Sequence, residues 1–234
     1  MTSFNWLDQP KYSADQVRAL APAAIFLAIR ANGKDVKACC DDFDLDGAKW
    51  ITKRMMKGSW GVTDRASALA MGSALLEGMH GPEFDGLLEL ILPHVGDTPE
   101  QQRAFIDSLL PDYGMEVASD AGYFLAALRL PQMPHEFRST YAWDLVRMAF
   151  VVRTSVGLGY LTADEAWPLL TAGVNRARQF YPSWQDFGTA YAVGRALWAS
   201  DGEHFSAEQS LAESQPALQS LLSDPSSPWV RLPW

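Results

Sequence analysis

Residues 140–201 of this chain read TYAWDLVRMAFVVRTSVGLGYLTADEAWPLLTAGVNRARQFYPSWQDFGTAYAVGRALWASD. Apolar residues recur in this stretch at steps of three and four, which is the spacing of α-helices with one buried face. Glycines after Val156 and the Tyr181-Pro182 step divide the stretch into three segments. The stretch therefore predicts three consecutive helices, around which the rest of the chain is expected to be organised.

The first helix is predicted from Thr140 to Val156, with its end at Gly157 and Gly159, since glycine suits the left-handed conformation that closes a helix. The second is predicted to begin at Thr162 and the third at Ser183. Each of these two residues is followed three positions later by an acid that completes a capping box.

Five residues follow one another at helical steps in the third helix: Trp184, Phe187, Tyr191, Gly194 and Trp198. The stripe is interpreted as core rather than as a ligand box, because aromatic side chains dominate core energetics. Glycine costs about 1 kcal/mol relative to alanine inside a helix. Its presence in the stripe therefore predicts that another helix approaches closely at Gly194.

Two arginines, Arg147 and Arg195, flank this stripe, and arginine is rarely buried unless it is paired. If the first and third helices pack together, Asp144 is predicted to bridge both guanidinium groups. The result would be structural ion pairing or an anion-binding notch, and the structural interpretation is preferred because such networks imitate functional sites. The candidate binding residues are Asp144, Arg147, Trp184, Tyr191 and Arg195; no catalytic residue, metal ligand or cofactor is predicted.

Three motifs occur in the opening stretch: W-D-x-x-R at 143–147, G-Y-L-T-x-x-E-A-W at 159–167 and S-W-x-x-F-G-x-x-Y-x-x-G-R-x-x-W at 183–198. Together with S-W-G-V-T-D-R at 59–65 and S-P-W-V-R-L-P-W at the end, they resemble the bacterial family called domain of unknown function 1266. The resemblance covers residues 59–234 and is strongest over 141–201. It implies a bacterial protein with a helical body and brings no established activity.

Strand patterns are nearly absent from the chain. We predict an all-α fold, a compact single domain over 1–234 with about nine or ten short helices. Pro131 to Pro134 is a stiff connector, so the domain has possible sub-halves, an N-terminal 1–131 and a C-terminal 135–234 that carries the family motifs. Pro216 is expected to interrupt the last helix. The proline-rich end, from Asp224 to Trp234, is predicted to be an extended, non-helical tail whose tryptophans dock on the body.

The charge of the chain limits the partners that it is expected to bind. The formal net charge is −9, and the longest cation cluster is Lys53-Arg54 with Lys57 nearby, so nucleic-acid binding is not expected. The acidity is interpreted as a solubility feature, with a basic protein partner as the sharper alternative.

The apolar run from Ala21 to Ile29 is shorter than the ~20 residues that span a bilayer, and Met1 to Lys11 lacks a signal-peptide pattern. We therefore expect a cytoplasmic protein that does not bind a membrane, with its oligomeric state left open.

One acidic segment resembles the first half of a calcium loop, with Asp42, Asp44, Asp46 and Gly47 at the expected spacing. The twelfth position should supply a bidentate glutamate but is Lys53, and a positive side chain cannot bind calcium. The segment is therefore interpreted as an acidic helix start.

No H-E-x-x-H, G-x-S-x-G or phosphate-loop motif is present. The histidines are far apart in the sequence and are interpreted as surface or loop residues: His80, His94, His135 and His204. The leading hypothesis is a non-catalytic protein-binding module, immunity- or adaptor-like, whose acidic surface accepts a basic partner. An alternative is an enzyme or small-ligand sensor with a polar pocket around the four residues Asp144, Arg147, Tyr191 and Arg195. A structural role in a larger assembly is the third possibility.

Overall fold

The computed structural model of the protein describes residues 3–45, 47–134, 139–200 and 206–234. In this part of the chain the α-helical segments are α1 (Ala14–Leu20), α2 (Ala24–Ala31), α3 (Lys49–Trp60), α4 (Arg65–Glu77), α5 (Gly81–Ile91), α6 (Pro99–Leu128), α7 (Ala142–Leu158), α8 (Ala163–Phe180), α9 (Trp184–Ser200), α10 (Ala207–Ser223) and α11 (Pro228–Arg231). A 3-10 turn at Ala21–Ala23 joins α1 to α2, and a second turn, Leu92–His94, extends α5. Strand β1 (Phe4–Asn5) pairs in parallel with β2 (Val36–Cys39).

The all-α prediction is confirmed in outline, but the helix count is wrong. With joined segments taken together, the described residues form eight helices instead of nine or ten. Gly114 inside α6 has a φ of 84° and is not helical, so Pro99–Leu128 consists of two helical parts that meet at a kink. The small sheet was missed because strands of two and four residues are too short to show alternation.

Helix α7 lies at the centre of the fold. Nearly all of its side chains are buried, and these include the charged side chains of Asp144 and Arg153 as well as the apolar ones. Helices α4, α8 and α9 pack directly against it, and α10 covers α9 and α2. The three predicted helices of the opening stretch are thus α7, α8 and α9, and helices from both predicted sub-halves contact α7.

Both predicted starts within this stretch are confirmed by their hydrogen bonds. The N–H of Glu165 donates to Thr162 Oγ1 at 3.3 Å, while Glu165 Oε2 accepts from the N–H of Thr162 at 2.9 Å. The N–H of Asp186 donates to Ser183 Oγ at 3.1 Å. These contacts satisfy backbone donors that a helix start leaves without an internal partner.

Gly157 does not end α7, contrary to the prediction. The helix continues to Leu158 and is closed by Gly159, which has a φ of 81°. Gly157 instead lies where the segment before α3 crosses α7. A Cβ atom at position 157 would overlap the carbonyl oxygen of Phe43 and lie 2.6 Å from Leu45 Cδ2.

A Gly157→Ala substitution is therefore expected to lower the free energy of unfolding by about 1–3 kcal/mol, the usual cost of overpacking. Alanine has the higher helix propensity, so the sign of the effect reports the clash. Urea denaturation followed by circular dichroism measures it. The control is Gly173→Ala in α8, whose Cβ would meet only the terminal methyl group of Met148. Equal effects of the two substitutions would contradict the interpretation.

Pro216 lies inside α10 and does not interrupt it, which corrects the prediction. Proline leaves the carbonyl group four residues earlier without a helical donor. That residue is Ala212, and both Ala212 and Pro216 are exposed. Because the affected carbonyl lies on the solvent side, water can replace the missing donor and the helix continues.

The prediction for the C-terminal tail is correct in its docking and wrong in its conformation. Residues Pro228–Arg231 form α11, since Ser227 caps the turn and proline suits the first helical position. The tail nevertheless docks as predicted. Trp229 Nε1 donates to the carbonyl oxygen of Ala21, and Trp234 Nε1 donates to that of Tyr181, both at 2.9 Å.

Some predicted features fall outside the described residues, namely Asp46 of the calcium-like segment, His135 and His204. Among the helices that the structure describes, none combines the length and apolar character needed to cross a membrane.

Candidate functional site

The predicted close approach between α7 and α9 is present at Gly194. A Cβ atom there would lie 2.7 Å from Trp143 Cβ and 3.2 Å from the carbonyl oxygen of Thr140. The Trp143 ring lies 5.4 Å from the Tyr191 ring and 5.6 Å from the Trp198 ring. The aromatic stripe of α9 therefore packs on the segment that carries the W-D-x-x-R motif, which is the core interpretation made from the sequence.

Asp144 is fully buried and caps a helix other than its own. Its Oδ2 accepts hydrogen bonds from the N–H of Gly81 at 2.7 Å and the N–H of His80 at 2.9 Å, at the start of α5. Helix starts favour negative charge because their N–H groups point outward. A carboxylate on α7 thus fixes the position of α5.

Arg147 completes this cluster on the other side of the carboxylate. Its Nη1 lies 3.2 Å from Asp144 Oδ1 and 2.9 Å from His80 Nδ1. The guanidinium group lies over the rings of Trp60 and Trp143, at 5.1 and 4.9 Å from their centroids. His80 Nδ1 also lies 3.4 Å from Asp144 Oδ1, so this ring nitrogen faces both a donor and an acceptor.

Arg195 does not share Asp144, so the predicted double bridge is wrong. Arg195 Nη1 donates to the carbonyl oxygen of Ser210 at 2.8 Å, and Nη2 pairs with Glu213 Oε2 at 2.5 Å. Helix α10 packs along α9 and supplies both partners, which puts a carboxylate nearer to Arg195 than α7 can. The two predicted arginines therefore belong to separate clusters.

Tyr191 and Trp184 occupy different parts of α9. Burial raises the pKa of the Tyr191 hydroxyl, although the positive charges of Arg195 and Arg147 act in the opposite direction. Trp184 lies at the beginning of α9 and stacks on Trp229 with ring centroids 5.1 Å apart. Of the five predicted binding residues, Asp144 and Arg147 contact each other, Tyr191 is buried within reach of both arginines, and Trp184 holds the tail.

A cleft that the sequence analysis did not predict opens beside His80. It lies between α5, the second half of α6 and the end of α9, and has a volume of about 310 Å³. Its lining combines acidic and aromatic side chains with one leucine: His80, Glu83, Phe84, Glu116, Asp120, Phe124, Leu197 and Trp198. We call this feature the acidic cleft.

The acidic cleft has an aromatic floor and a negative rim. Phe84 and Phe124 meet edge to face at 5.3 Å and are both buried. Glu116 and Asp120 are four residues apart on α6, a spacing at which two like charges destabilise a helix. Glu83 adds a third carboxylate from α5, and none of the described residues that line the cleft is a lysine or an arginine. Such a surface attracts a cation whose stem is apolar.

The calcium-like segment offers its carboxylates to protein groups instead. Asp42 pairs with Lys11 at 3.1 Å, and Asp44 accepts from the N–H of Cys39 at 2.9 Å and pairs with Arg153 at 3.2 Å. Within the described ranges, no three histidine, cysteine or acidic side chains are grouped to hold a metal ion.

The family described as "Protein of unknown function (DUF1266)" matches residues 55–234. The chain belongs to this family. Two Escherichia coli K12 proteins are similar to it: the uncharacterized protein YbeU, 28% identical over 145 residues, and the uncharacterized protein YbeR, 24% identical over 148 residues. Each similarity covers 62% of this chain and 57% of the relative, so the chain spans little more than half of their length. No solved structure matches.

In this DUF1266 protein, the geometry of the Asp144 cluster predicts a pH dependence. Burial alone would raise the pKa of the Asp144 carboxyl. Donors from His80 and Gly81 and the charge of Arg147 outweigh burial and hold that pKa below its usual range. A lowered folded-state pKa contributes stability that is complete above the unfolded value of about 3.9 and is lost as the pH falls through the folded value.

The free energy of unfolding is therefore expected to fall more steeply below about pH 4 in the wild type than in Asp144→Asn, which has no proton to take up at this position. Urea titrations at a series of acidic pH values measure both slopes. The other carboxylates are common to the two proteins and cancel in the difference. Parallel pH profiles would contradict the assignment.

Proposed function

We propose that this DUF1266 member is a non-catalytic, cytoplasmic protein-binding module that accepts basic side chains of a protein partner in the acidic cleft. The observation that supports the proposal is the described lining of the cleft, in which the carboxylates of Glu83 and Glu116 accompany the buried rings of Phe84 and Phe124 and no described lining residue is a lysine or arginine. An adaptor-like or immunity-like role is the biological form that this binding would take.

The chemistry of the cleft suits a lysine or arginine side chain. The aliphatic stem of such a residue packs on apolar rings, while its charged end reaches carboxylates at the rim. A cation over a tryptophan or phenylalanine face gains a further attraction.

The charge of the whole chain favours the same partner. A net charge of −9 attracts a basic protein over a distance and increases the rate of encounter, an effect that salt screens. The enzyme or ligand-sensor alternative, with a pocket around Asp144, Arg147, Tyr191 and Arg195, stays a prediction. The hydrogen bonds of Asp144, Arg147 and Arg195 run to protein groups in two clusters, so this geometry favours the binding module.

Fluorescence anisotropy with a labelled arginine-rich peptide tests the proposal. A Glu83→Gln, Glu116→Gln double variant is expected to bind the peptide about tenfold more weakly than the wild type at low salt. The matched control is Glu89→Gln, which removes an exposed carboxylate from α5 outside the cleft. A peptide in which glutamine replaces arginine controls for apolar binding.

Two results would overturn the proposal. One is the absence of any salt-sensitive binding of the arginine-rich peptide to the wild type. The other is an equal loss of affinity in the cleft variant and in Glu89→Gln, which would mean that net charge alone attracts the peptide. Affinity capture of basic proteins from the native host with the same three proteins extends the test to natural partners.

A further inference from the structure

Helix α3 carries a concentration of positive charge that is unusual for this chain. Its twelve residues include four cations and no acidic residue, whereas the chain as a whole has a net charge of −9. The cations are exposed: Lys49, Lys53, Arg54 and Lys57. The helix therefore presents a basic surface on an acidic protein.

Apolar side chains are exposed on the same helix. Trp50 is 68% exposed and Ile51 is 49% exposed, while α3 contacts the core through Met55, Met56 and Trp60. Trp50 and Arg54 are four residues apart and so lie on one face, with Lys57 one further turn along. We call the surface formed by Trp50, Ile51, Lys53, Arg54 and Lys57 the α3 face.

The charge of the α3 face is not neutralised by described neighbours. No ion pair joins any of its cations to an acidic side chain in the described ranges, and Lys53 lies over the Tyr160 ring instead. Two of the acidic residues that precede α3 are engaged elsewhere, Asp42 with Lys11 and Asp44 with Arg153. An exposed tryptophan beside unpaired cations is typical of the centre of a protein interface.

We propose that the α3 face of one copy of this chain docks in the acidic cleft of a second copy. The inference rests on the proposed function, because it names the basic partner of the cleft. Arg54 and Lys57, about one helical turn apart on α3, would pair with Glu116 and Glu83, two carboxylates of the cleft lining. Trp50 would lie toward the aromatic part of the lining, since apolar and aromatic anchors bind in such surroundings.

Helix α3 is linked to the cleft wall through Arg147. Trp60, on the core side of α3, lies against the guanidinium group of Arg147, and Arg147 Nη1 is 2.9 Å from His80 Nδ1. In a two-fold dimer each copy would donate its α3 face and receive that of the other.

Charge-swapped variants test the pairing. Arg54→Glu puts a negative charge on the α3 face, and Glu116→Lys puts a positive charge in the cleft, so each variant alone repels its own copies. In a mixture, the altered face meets the altered cleft and the unaltered face meets the unaltered cleft. We expect sedimentation velocity at low salt to show dimers for the wild type and for the mixture, and monomers for each variant alone.

The expected weakening of self-association is at least about tenfold for each single variant. Arg103→Glu, at an exposed position of α6 outside both surfaces, is the matched control and should dimerise like the wild type. Circular dichroism of every variant establishes that it is folded. Arg54→Glu, whose cleft is free, should bind the arginine-rich peptide at least as tightly as the wild type.

A wild type that stays monomeric up to submillimolar concentration would overturn the inference, as would a mixture that stays monomeric. Dimers that persist in both variants would also overturn it. Two further binding measurements use vesicles of phosphatidylserine and phosphatidylcholine and a DNA duplex. If a monomeric wild type binds either of them and Arg54→Glu does not, the α3 face would be assigned to lipid or to nucleic acid instead. Peptide binding by a monomeric protein would leave the proposed function standing.

Discussion

Replacing Asp144 with alanine is expected to lower the free energy of unfolding by about 3–5 kcal/mol, the usual cost of breaking a buried charge pair from one side. The carboxylate is fully buried and accepts two N–H groups at the start of α5 as well as the guanidinium group of Arg147. Alanine leaves those donors in place without an acceptor. An unpaired buried donor keeps its full desolvation cost, which is why the loss exceeds the worth of the bonds themselves.

Urea denaturation at neutral pH measures the free energy of unfolding of Asp144→Ala, Asp144→Asn and Glu89→Ala. Asp144→Asn keeps an acceptor oxygen for the α5 start but loses the charge opposite Arg147, so its expected cost is intermediate, about 1–3 kcal/mol. Glu89→Ala, on the exposed side of α5, should change stability by less than about 0.5 kcal/mol. An Asp144→Ala protein as stable as Glu89→Ala would mean that α5 does not depend on this cap.

The same residue shows what sequence reasoning can and cannot reach. The capping box at Thr162 and the helix start at Ser183 were predicted correctly because the partners of each cap lie within four residues of each other. The acceptor role of Asp144 was not, because its donors are backbone N–H groups 63 and 64 residues earlier. A backbone donor leaves no mark on the amino-acid sequence, whereas Arg147, three residues away, was visible as a neighbour on the same face.

Sequence analysis missed the partner of Arg195 and the acidic cleft for a related reason. The partner of Arg195 was expected on α7 and lies on α10, at Glu213, because the packing of α10 along α9 decides which carboxylate is nearest. The cleft needs Glu83 from one helix and Glu116 from another. The i,i+4 spacing of the acids on α6 was readable in the sequence, but only the packed fold places Glu83 beside them.

A Trp184→Ala substitution is the second change with a large expected effect, a loss of about 3–5 kcal/mol of unfolding free energy, as for other buried tryptophans. Trp184 lies between the body and the C-terminal tail. Its ring stacks on Trp229 and meets Trp234 edge to face, and its Nε1 donates to the carbonyl oxygen of Leu232 at 3.0 Å. Removing the ring therefore opens a cavity and loosens the tail at once.

A double-mutant cycle separates those two consequences. If Trp184 acts mainly by holding the tail, then Trp184→Ala and Trp229→Ala remove the same contact, and their effects on unfolding should fall short of the sum by about 0.5–3 kcal/mol. Trp50→Ala, at a mostly exposed ring, is the control and should change stability by less than about 0.5 kcal/mol.

Limited proteolysis gives the second readout, because a released tail is cleaved faster than a docked one. Trp184→Ala should speed cleavage after residue 224 while the helical body stays protected. Additive effects in the cycle, together with an unchanged cleavage rate, would show that Trp184 only fills the core. The tail would then owe its position to two other hydrogen bonds. Trp229 donates to the carbonyl oxygen of Ala21, and Trp234 donates to that of Tyr181. These two bonds would hold the tail on the body without a contribution from the Trp184 ring.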